Sequence, residues 1–189
     1  MRLNSSIAKL LCVSCGILSS NIYATDLTVN FTANIRETTC DMRITGGTGN
    51  NQNNTIAIGN SGKTSLDKIL SGDASVSVPF SLDIVTCPSS LAVIKTTITG
   101  TQSGIVPTLI INGITSTDKA DYLGVSVARA SGGEAFTINS TVDAKRLVWT
   151  TSEIAAKKVN LLAKLVPTDA TKVTTGAFNA TAIFNFTYE

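Results

Sequence analysis

Apolar and polar residues alternate along the last fourteen residues, 176–189. Every second residue is apolar, and the residues between them are mostly polar. Because side chains alternate across a β-strand, this pattern predicts one long strand over 176–189 with a single apolar face. An open apolar strand at the end of a chain is an aggregation hazard, so we expect another strand to cover it. The apolar face consists of Phe178, Ala180, Ala182, Phe184, Phe186 and Tyr188.

A second stretch, residues 26–36, has the same alternation and no hairpin partner close by in sequence. Two interpretations stay open. The stretch is either the first strand of the domain itself, or a strand that each copy donates to the open edge of a neighbour. The second interpretation would link copies head to tail into a polymer. The apolar residues of the stretch are Leu27, Val29, Phe31, Ala33 and Ile35.

The chain between these two stretches contains further short alternating segments. Met42 and Ile44 indicate a first core strand, residues 76–84 form a clear alternating strand, and residues 159–165 form another. Strands at this spacing, with few helical patterns, are typical of an all-β sandwich, here with about seven or eight strands.

Some segments are less regular. Residues 46–54 are rich in glycine and asparagine, which predicts a loop. Residues 56–58 predict a short strand, and residues 66–70 predict either a turn of helix or an irregular loop. Cys87 has the opposite parity from the strand before it, which predicts a β-bulge or a strand end near Val85.

Residues 1–24 have the layout of a secretory signal peptide. Arg2 and Lys9 are their only charged residues, an apolar stretch follows, and a small residue precedes the expected cleavage point. A lipoprotein signal through Cys12 or Cys15 is the weaker alternative, because neither cysteine has a leucine three residues before it. The layout predicts export.

Export changes the charge and the cysteine count. Loss of Arg2 and Lys9 leaves as many basic residues as the 13 acidic ones, so the exported chain is formally neutral. This argues against a nucleic-acid partner. Cys40 and Cys87 remain, and a single pair in an oxidising compartment predicts one disulfide, with two unpaired buried cysteines as the alternative.

Catalysis finds little support in the sequence. The chain contains no histidine, which removes the commonest general base and the Ser-His pairing. Residues 46–49 are glycine-rich but lack the Gly-Lys-Ser/Thr of a phosphate loop. With no histidine and no Cys-x-x-Cys after residue 24, a metal site is poorly supported too. We therefore expect no catalytic residue, no cofactor and no metal.

Taken together, these features resemble the pilin subunits of the bacterial chaperone–usher pathway, most closely a minor type 1-like fimbrial subunit. The resemblance covers the whole chain. In its ending, Gly176 lies fourteenth from the C-terminus and Tyr188 is penultimate, as in the chaperone-recognition motif of that family. The other matching features are the signal peptide, the stretch 27–35, Cys40 with Cys87, and Val78-Pro79-Phe80 before the second cysteine.

The resemblance implies an immunoglobulin-like sandwich that lacks its final strand. The chain would then divide into a signal peptide (1–24), an N-terminal donor-strand extension (25–36) and a pilin domain (37–189). The donor residues would be Leu27, Val29, Phe31, Ala33 and Ile35. The residues for chaperone recognition and for the acceptor groove would be Gly176, Phe178, Phe184, Phe186, Tyr188 and Glu189.

The resemblance also implies partners and a location. A periplasmic chaperone would lend a strand to the groove and hold the Glu189 carboxylate with basic residues. An outer-membrane usher would then exchange that strand for the extension of the next subunit, which builds an extracellular fimbria that contributes to cell adhesion. The alternative is a ligand-binding adhesin or tip component. Family adhesins carry a separate lectin domain, for which this chain is too short, but a host-ligand patch on the pilin domain stays open. We expect Trp149 in the core rather than as a sugar platform.

Overall fold

The fold is known from a computed structural model, which describes residues 39–189. The predicted signal peptide and the donor-like stretch, with Leu27, Val29, Phe31, Ala33 and Ile35, lie outside these residues. The strands are β1 (Asp41–Thr45), β2 (Thr48–Gly49), β3 (Asn54–Thr55), β4 (Ser77–Thr86), β5 (Ile94–Thr99), β6 (Leu109–Ile111), β7 (Leu123–Arg129), β8 (Leu147–Val148), β9 (Lys158–Pro167) and β10 (Ile183–Tyr188). The helices are α1 (Leu66–Ser71) and α2 (Thr151–Ala155), and a 3₁₀ turn covers Ala74–Val76.

Two antiparallel sheets pack face to face. The larger has the strand order β1-β4-β9-β7-β6 and the smaller has the order β10-β5-β8, while β2 and β3 form a separate short hairpin. The two main sheets thus contain eight strands, in agreement with the predicted all-β sandwich. None of the helices between residues 39 and 189 is both long enough and apolar enough to cross a lipid bilayer.

The core lies between the inner faces of the two sheets. In β5 and β9 every second side chain is buried, as alternation across a strand requires. Trp149 is 4% exposed, and its indole Nε1 donates a hydrogen bond of 3.0 Å to the Thr96 hydroxyl, which is also buried. The prediction that Trp149 belongs to the core is therefore confirmed.

Several local predictions hold. The ambiguous segment near residue 66 is the helix α1, which ends at Gly72 in the left-handed conformation. A register shift between Asp41 and Met42 leaves Val85 as an extra residue in β4, so the expected β-bulge is present.

Two strand predictions were wrong in extent. The terminal strand begins at Ile183, because Ala177 and Asn179 form hydrogen bonds with residues 112–120 instead of joining a sheet. There the Asn112 side chain donates to the Ala120 and Ala177 carbonyls, and its Oδ1 accepts from the Asn179 N–H. The predicted strand at 56–58 belongs to no ladder, and the loop 46–54 contains most of the β2–β3 hairpin.

Candidate functional site

The candidate site is the side of the sandwich where β10 and β1 are the outermost strands of their sheets. Within residues 39–189, β10 pairs only with β5, and β1 pairs only with β4 among the strands of the main sheets. The Tyr188 hydroxyl donates to the Cys40 carbonyl at 3.3 Å, and the rings of Phe80 and Phe184 are 5.8 Å apart. We call this side, bounded by β10 and by β1 with residues 56–58, the open seam.

The apolar side chains along the open seam are half-buried. On the β10 side every second residue from 178 to 188 contacts the core, and the residues between them are exposed. The opposite wall is formed by the half-buried Met42, Ile44, Ile56 and Ile58. In the interior strand β9, by contrast, Val159 and Leu161 are 0% exposed. Within residues 39–189, the seam therefore has the side chains of a core and no covering layer.

At the same place, and as far as residues 39–189 show, the backbone of β10 has N–H and C=O groups that do not pair with β5. The Glu189 N–H donates to the Val93 carbonyl at 3.0 Å, and the Val93 N–H donates back at 2.9 Å. Hydrogen-bonded and non-hydrogen-bonded pairs alternate along an antiparallel ladder. The N–H and C=O groups of Phe184, Phe186 and Tyr188 consequently point away from β5, toward the open seam. These are the three residues of β10 whose side chains face the core.

The β1 rim of the seam is partly occupied. The Ile44 N–H donates to the Asn51 carbonyl at 2.8 Å, which shows that this group points away from β4. The Asn54 side chain donates to the carbonyls of Ile44 and Gly46 at 3.4 and 2.8 Å. The loop that contains the β2–β3 hairpin thus caps part of the β1 edge, so β10 offers the freer edge.

Gly176 and Phe178 form one end of the seam. A side chain on Gly176 would place its Cβ 2.2 Å from the Asp118 carbonyl oxygen, so only glycine fits this close approach. Phe178 packs against a second, smaller core cluster of buried residues. That cluster consists of Ile69, Val76, Ala120, Leu123 and Leu165.

Phe186, Tyr188 and Glu189 form the other end. The Phe186 and Tyr188 rings stack with centroids 6.3 Å apart, and burial raises the pKa of the Tyr188 phenol. The C-terminal oxygen of Glu189 accepts hydrogen bonds from the backbone N–H groups of Ala92 and Val93. Its side chain lies 2.7 Å from the Lys95 ammonium, and this hydrogen bond raises the pKa of Lys95.

The Cys40–Cys87 disulfide lies at this second end. It joins the residue before β1 to the residue after β4, which fixes the edge strand β1 to the body of the larger sheet. The predicted pairing is therefore present.

The structure thus brings all six predicted groove residues to one side of the sandwich: Gly176, Phe178, Phe184, Phe186, Tyr188 and Glu189. Sequence reasoning did not assign Met42, Ile44, Ile56 and Ile58 to the opposite wall. Their alternation was visible, but the sequence alone did not say which of the strands lie at sheet edges.

Comparison with known proteins agrees with this architecture. Residues 29–189 match the family model described as "Fimbrial protein". The chain is 32% identical over 175 residues to the uncharacterized fimbrial-like protein YadM of Escherichia coli (strain K12), covering 92% of each protein.

One solved structure shows the same fold. The P pilus rod subunit PapA superposes with a TM-score of 0.54 at 20% identity, over 86% of this chain and 100% of that chain. The fold is accordingly an immunoglobulin-like sandwich, and the chain belongs to the fimbrial protein family, as a pilus subunit.

Proposed function

We propose that this subunit polymerises by donor-strand exchange, with the open seam as the acceptor site. The proposal rests on the edge of β10. There Phe184, Phe186 and Tyr188 have half-buried side chains, and their backbone groups point away from β5. An added strand would supply both missing elements, a hydrogen-bond ladder and an apolar cover.

The donor would be residues 27–35 of a neighbouring subunit. Their apolar residues recur with a period of two, which matches the half-buried positions of the acceptor strand. Each net backbone hydrogen bond contributes about 1 kcal/mol, and each large buried apolar side chain contributes about 1.5–3 kcal/mol. Summed over about ten residues, these contributions are sufficient for a durable non-covalent joint.

Before assembly, the same site would receive a strand from a periplasmic chaperone. The carboxylate of Glu189 is a natural contact for basic chaperone residues, because it lies at the end of the acceptor strand and the Glu189 residue is exposed. Exchange at an outer-membrane usher would then release the chaperone. The subunit would pass through the periplasm and become part of an extracellular fimbria that contributes to adhesion.

A fusion tests the acceptor role. A copy of residues 26–36, attached after Glu189 through a short flexible linker, should fill the seam of its own subunit. We expect a monomer with a clearly higher melting temperature than the exported chain, measured by circular dichroism and sedimentation. The matched control carries Asp at the positions of Val29 and Phe31 in the added copy only. Equal melting temperatures for the fusion and its control would contradict the proposal.

A second test separates donation from acceptance. Val29→Asp with Phe31→Asp in the natural extension should block incorporation of the next subunit and leave capture of a chaperone unchanged. Loss of both to the same degree would mean that residues 26–36 belong to the fold of the subunit itself.

A further inference from the structure

The two ends of the open seam differ in what lies beside them. The N-terminal part of the chain enters the described domain at Thr39, next to Cys40 and Tyr188. The opposite end of the seam lies at Gly176, where Ala177 forms a bridge with Lys119. The subunit therefore has an entry end, around the disulfide, and a far end, around Lys119.

The orientation of a donated strand decides which end meets the next subunit, if the proposed function holds. A donor parallel to β10 would end beside Tyr188, where the extension of the accepting subunit also departs from Cys40. The donated extension, the extension of the accepting subunit and the body of the donating subunit would then all have to fit beside Tyr188 and Cys40. An antiparallel donor ends at Gly176 instead, so the next body would lie at the far end.

The connection between donor and body is short. Five residue steps separate Ile35 from Cys40, which span at most about 17 Å when fully extended. The entry end of the donating subunit must therefore lie close to the far end of the accepting one. Contact between the two bodies follows from this length.

The far end has exposed apolar side chains that could contact the body of the next subunit. Ile105 and Tyr122 are 61% and 41% exposed and line one cavity of about 300 Å³ together with Lys119 and Asp121. Tyr122 also has a positive φ of 55°, which is unusual for an aromatic residue. The entry end offers Val85, which is 48% exposed at the bulge beside Cys87.

We propose that the surface formed by Ile105 and Tyr122 binds the Cys40–Cys87 end of a second copy of this chain, and that this contact strengthens and orients each joint beyond the donated strand. The interface is heterologous, since different surfaces meet, and repetition therefore extends the chain of subunits.

A pair of one-sided subunits isolates a single joint. The acceptor-only chain carries Val29→Asp and Phe31→Asp, and the donor-only chain carries the added copy of 26–36 after Glu189. We measure the affinity of the acceptor-only chain for the donor-only chain and for a free peptide of residues 26–36. We expect tighter binding to the whole subunit, because only the subunit brings the Cys40–Cys87 end.

Ile105→Asp or Tyr122→Asp in the acceptor should lower the affinity for the donor subunit at least tenfold and change the affinity for the peptide less than twofold. Asp tolerates the left-handed backbone at position 122, so the fold should persist. The matched control is Val142→Asp, an apolar residue of similar exposure, 56%, in the loop that leads to β8 at the edge far from β10. This control should leave both affinities unchanged.

Val85→Asp in the donor-only chain should cause the same loss, and an unchanged affinity there would overturn the assignment of the Cys40–Cys87 end. Unchanged subunit affinity for Ile105→Asp and Tyr122→Asp, with the peptide still bound, would overturn the inference and leave donor-strand exchange intact. Failure of the unaltered acceptor to bind the peptide would instead refute donor-strand exchange, and this inference with it.

Discussion

Strands β5 and β10 are neighbours in one sheet and have the same alternation of apolar and polar residues, but they differ in burial. In β5, Ile94 and Ile98 are 0% and 1% exposed. In β10, their cross-strand partners Tyr188 and Phe184 are only half-buried, although they are larger. The difference lies in the number of neighbours, because β5 has strands on both sides and β10 has one on one side only within residues 39–189.

Hydrophobic side chains alone therefore do not close this core. Burial of an apolar face requires atoms beyond both edges of a strand as well as across from it. The subunit has a closed half, built on the interior strands β5, β7 and β9, and an open half along the seam. The closed half can hold the fold, and under the proposed function the open half would receive the donated strand. The following predictions test this division.

The largest expected effect is on the open half. Cys40→Ser with Cys87→Ser removes the link between β1 and β4, and closing a loop of this length, with a sequence separation of 47, stabilises by about 4 kcal/mol in chain-entropy terms. We expect the free energy of unfolding, from urea titration, to fall by about that amount. Reduction of the natural chain with a thiol should give the same loss. A loss below about 1 kcal/mol would show that β1 is held by other contacts.

The second prediction compares the halves directly. Leu161→Ala opens a cavity at a position that is 0% exposed and should lower the free energy of unfolding by about 3 kcal/mol. Phe186→Ala removes a half-exposed ring and should cost about half as much, despite its larger volume.

Affinity for a peptide of residues 26–36 should respond in the opposite way. Phe186→Ala should weaken it strongly, while Leu161→Ala should change it little in the fraction that remains folded. Equal stability losses together with equal affinity losses would remove the distinction between a closed and an open half.

The sequence predicted the strands of both halves but not their difference in closure. Alternation identifies which side chains share a face. It correctly predicted the inward-facing side chains of 178–188 and of Val159–Leu165. It does not identify edges, because hydrogen bonds between distant strands leave no local pattern. Residues 176–182 keep the alternation while they run beside a loop, so the predicted strand was too long. Ile56 and Ile58 likewise face the core without belonging to a sheet.

A third prediction concerns the closed half alone. Trp149→Phe removes the indole N–H and leaves the Thr96 hydroxyl, which is 0% exposed, without its donor. An unsatisfied buried polar group costs about 1–3 kcal/mol, so we expect a loss in that range by urea titration. Peptide affinity should not change. The double variant with Thr96→Val should recover part of the loss, and no recovery would show that lost ring packing is the cause.

The smallest effect is a pH dependence on the outer face beside the seam. The Asp83 carboxylate is 4% exposed, accepts hydrogen bonds from the Thr45 and Ser81 hydroxyls, and lies 3.3 Å from the Arg43 Nε. Burial alone would raise the pKa of Asp83, but these hydrogen bonds and the charge of Lys158 outweigh it, so the pKa lies below its usual value. Two of the partners, Arg43 and Thr45, belong to β1, so the ionised carboxylate helps to hold this edge strand.

A group whose pKa is lowered by folding stabilises the folded state above its unfolded pKa, about 3.9 for aspartate. The stability advantage of the natural chain over Asp83→Asn should therefore be constant above about pH 5 and shrink as the pH falls through 4 toward the lower folded pKa. The measurement is urea titration of both proteins from about pH 2.5 to about pH 7, a range that brackets the unfolded pKa of aspartate. If the natural chain kept the same stability advantage over Asp83→Asn down to the lowest pH, the negative charge of Asp83 would not be what holds β1 in place.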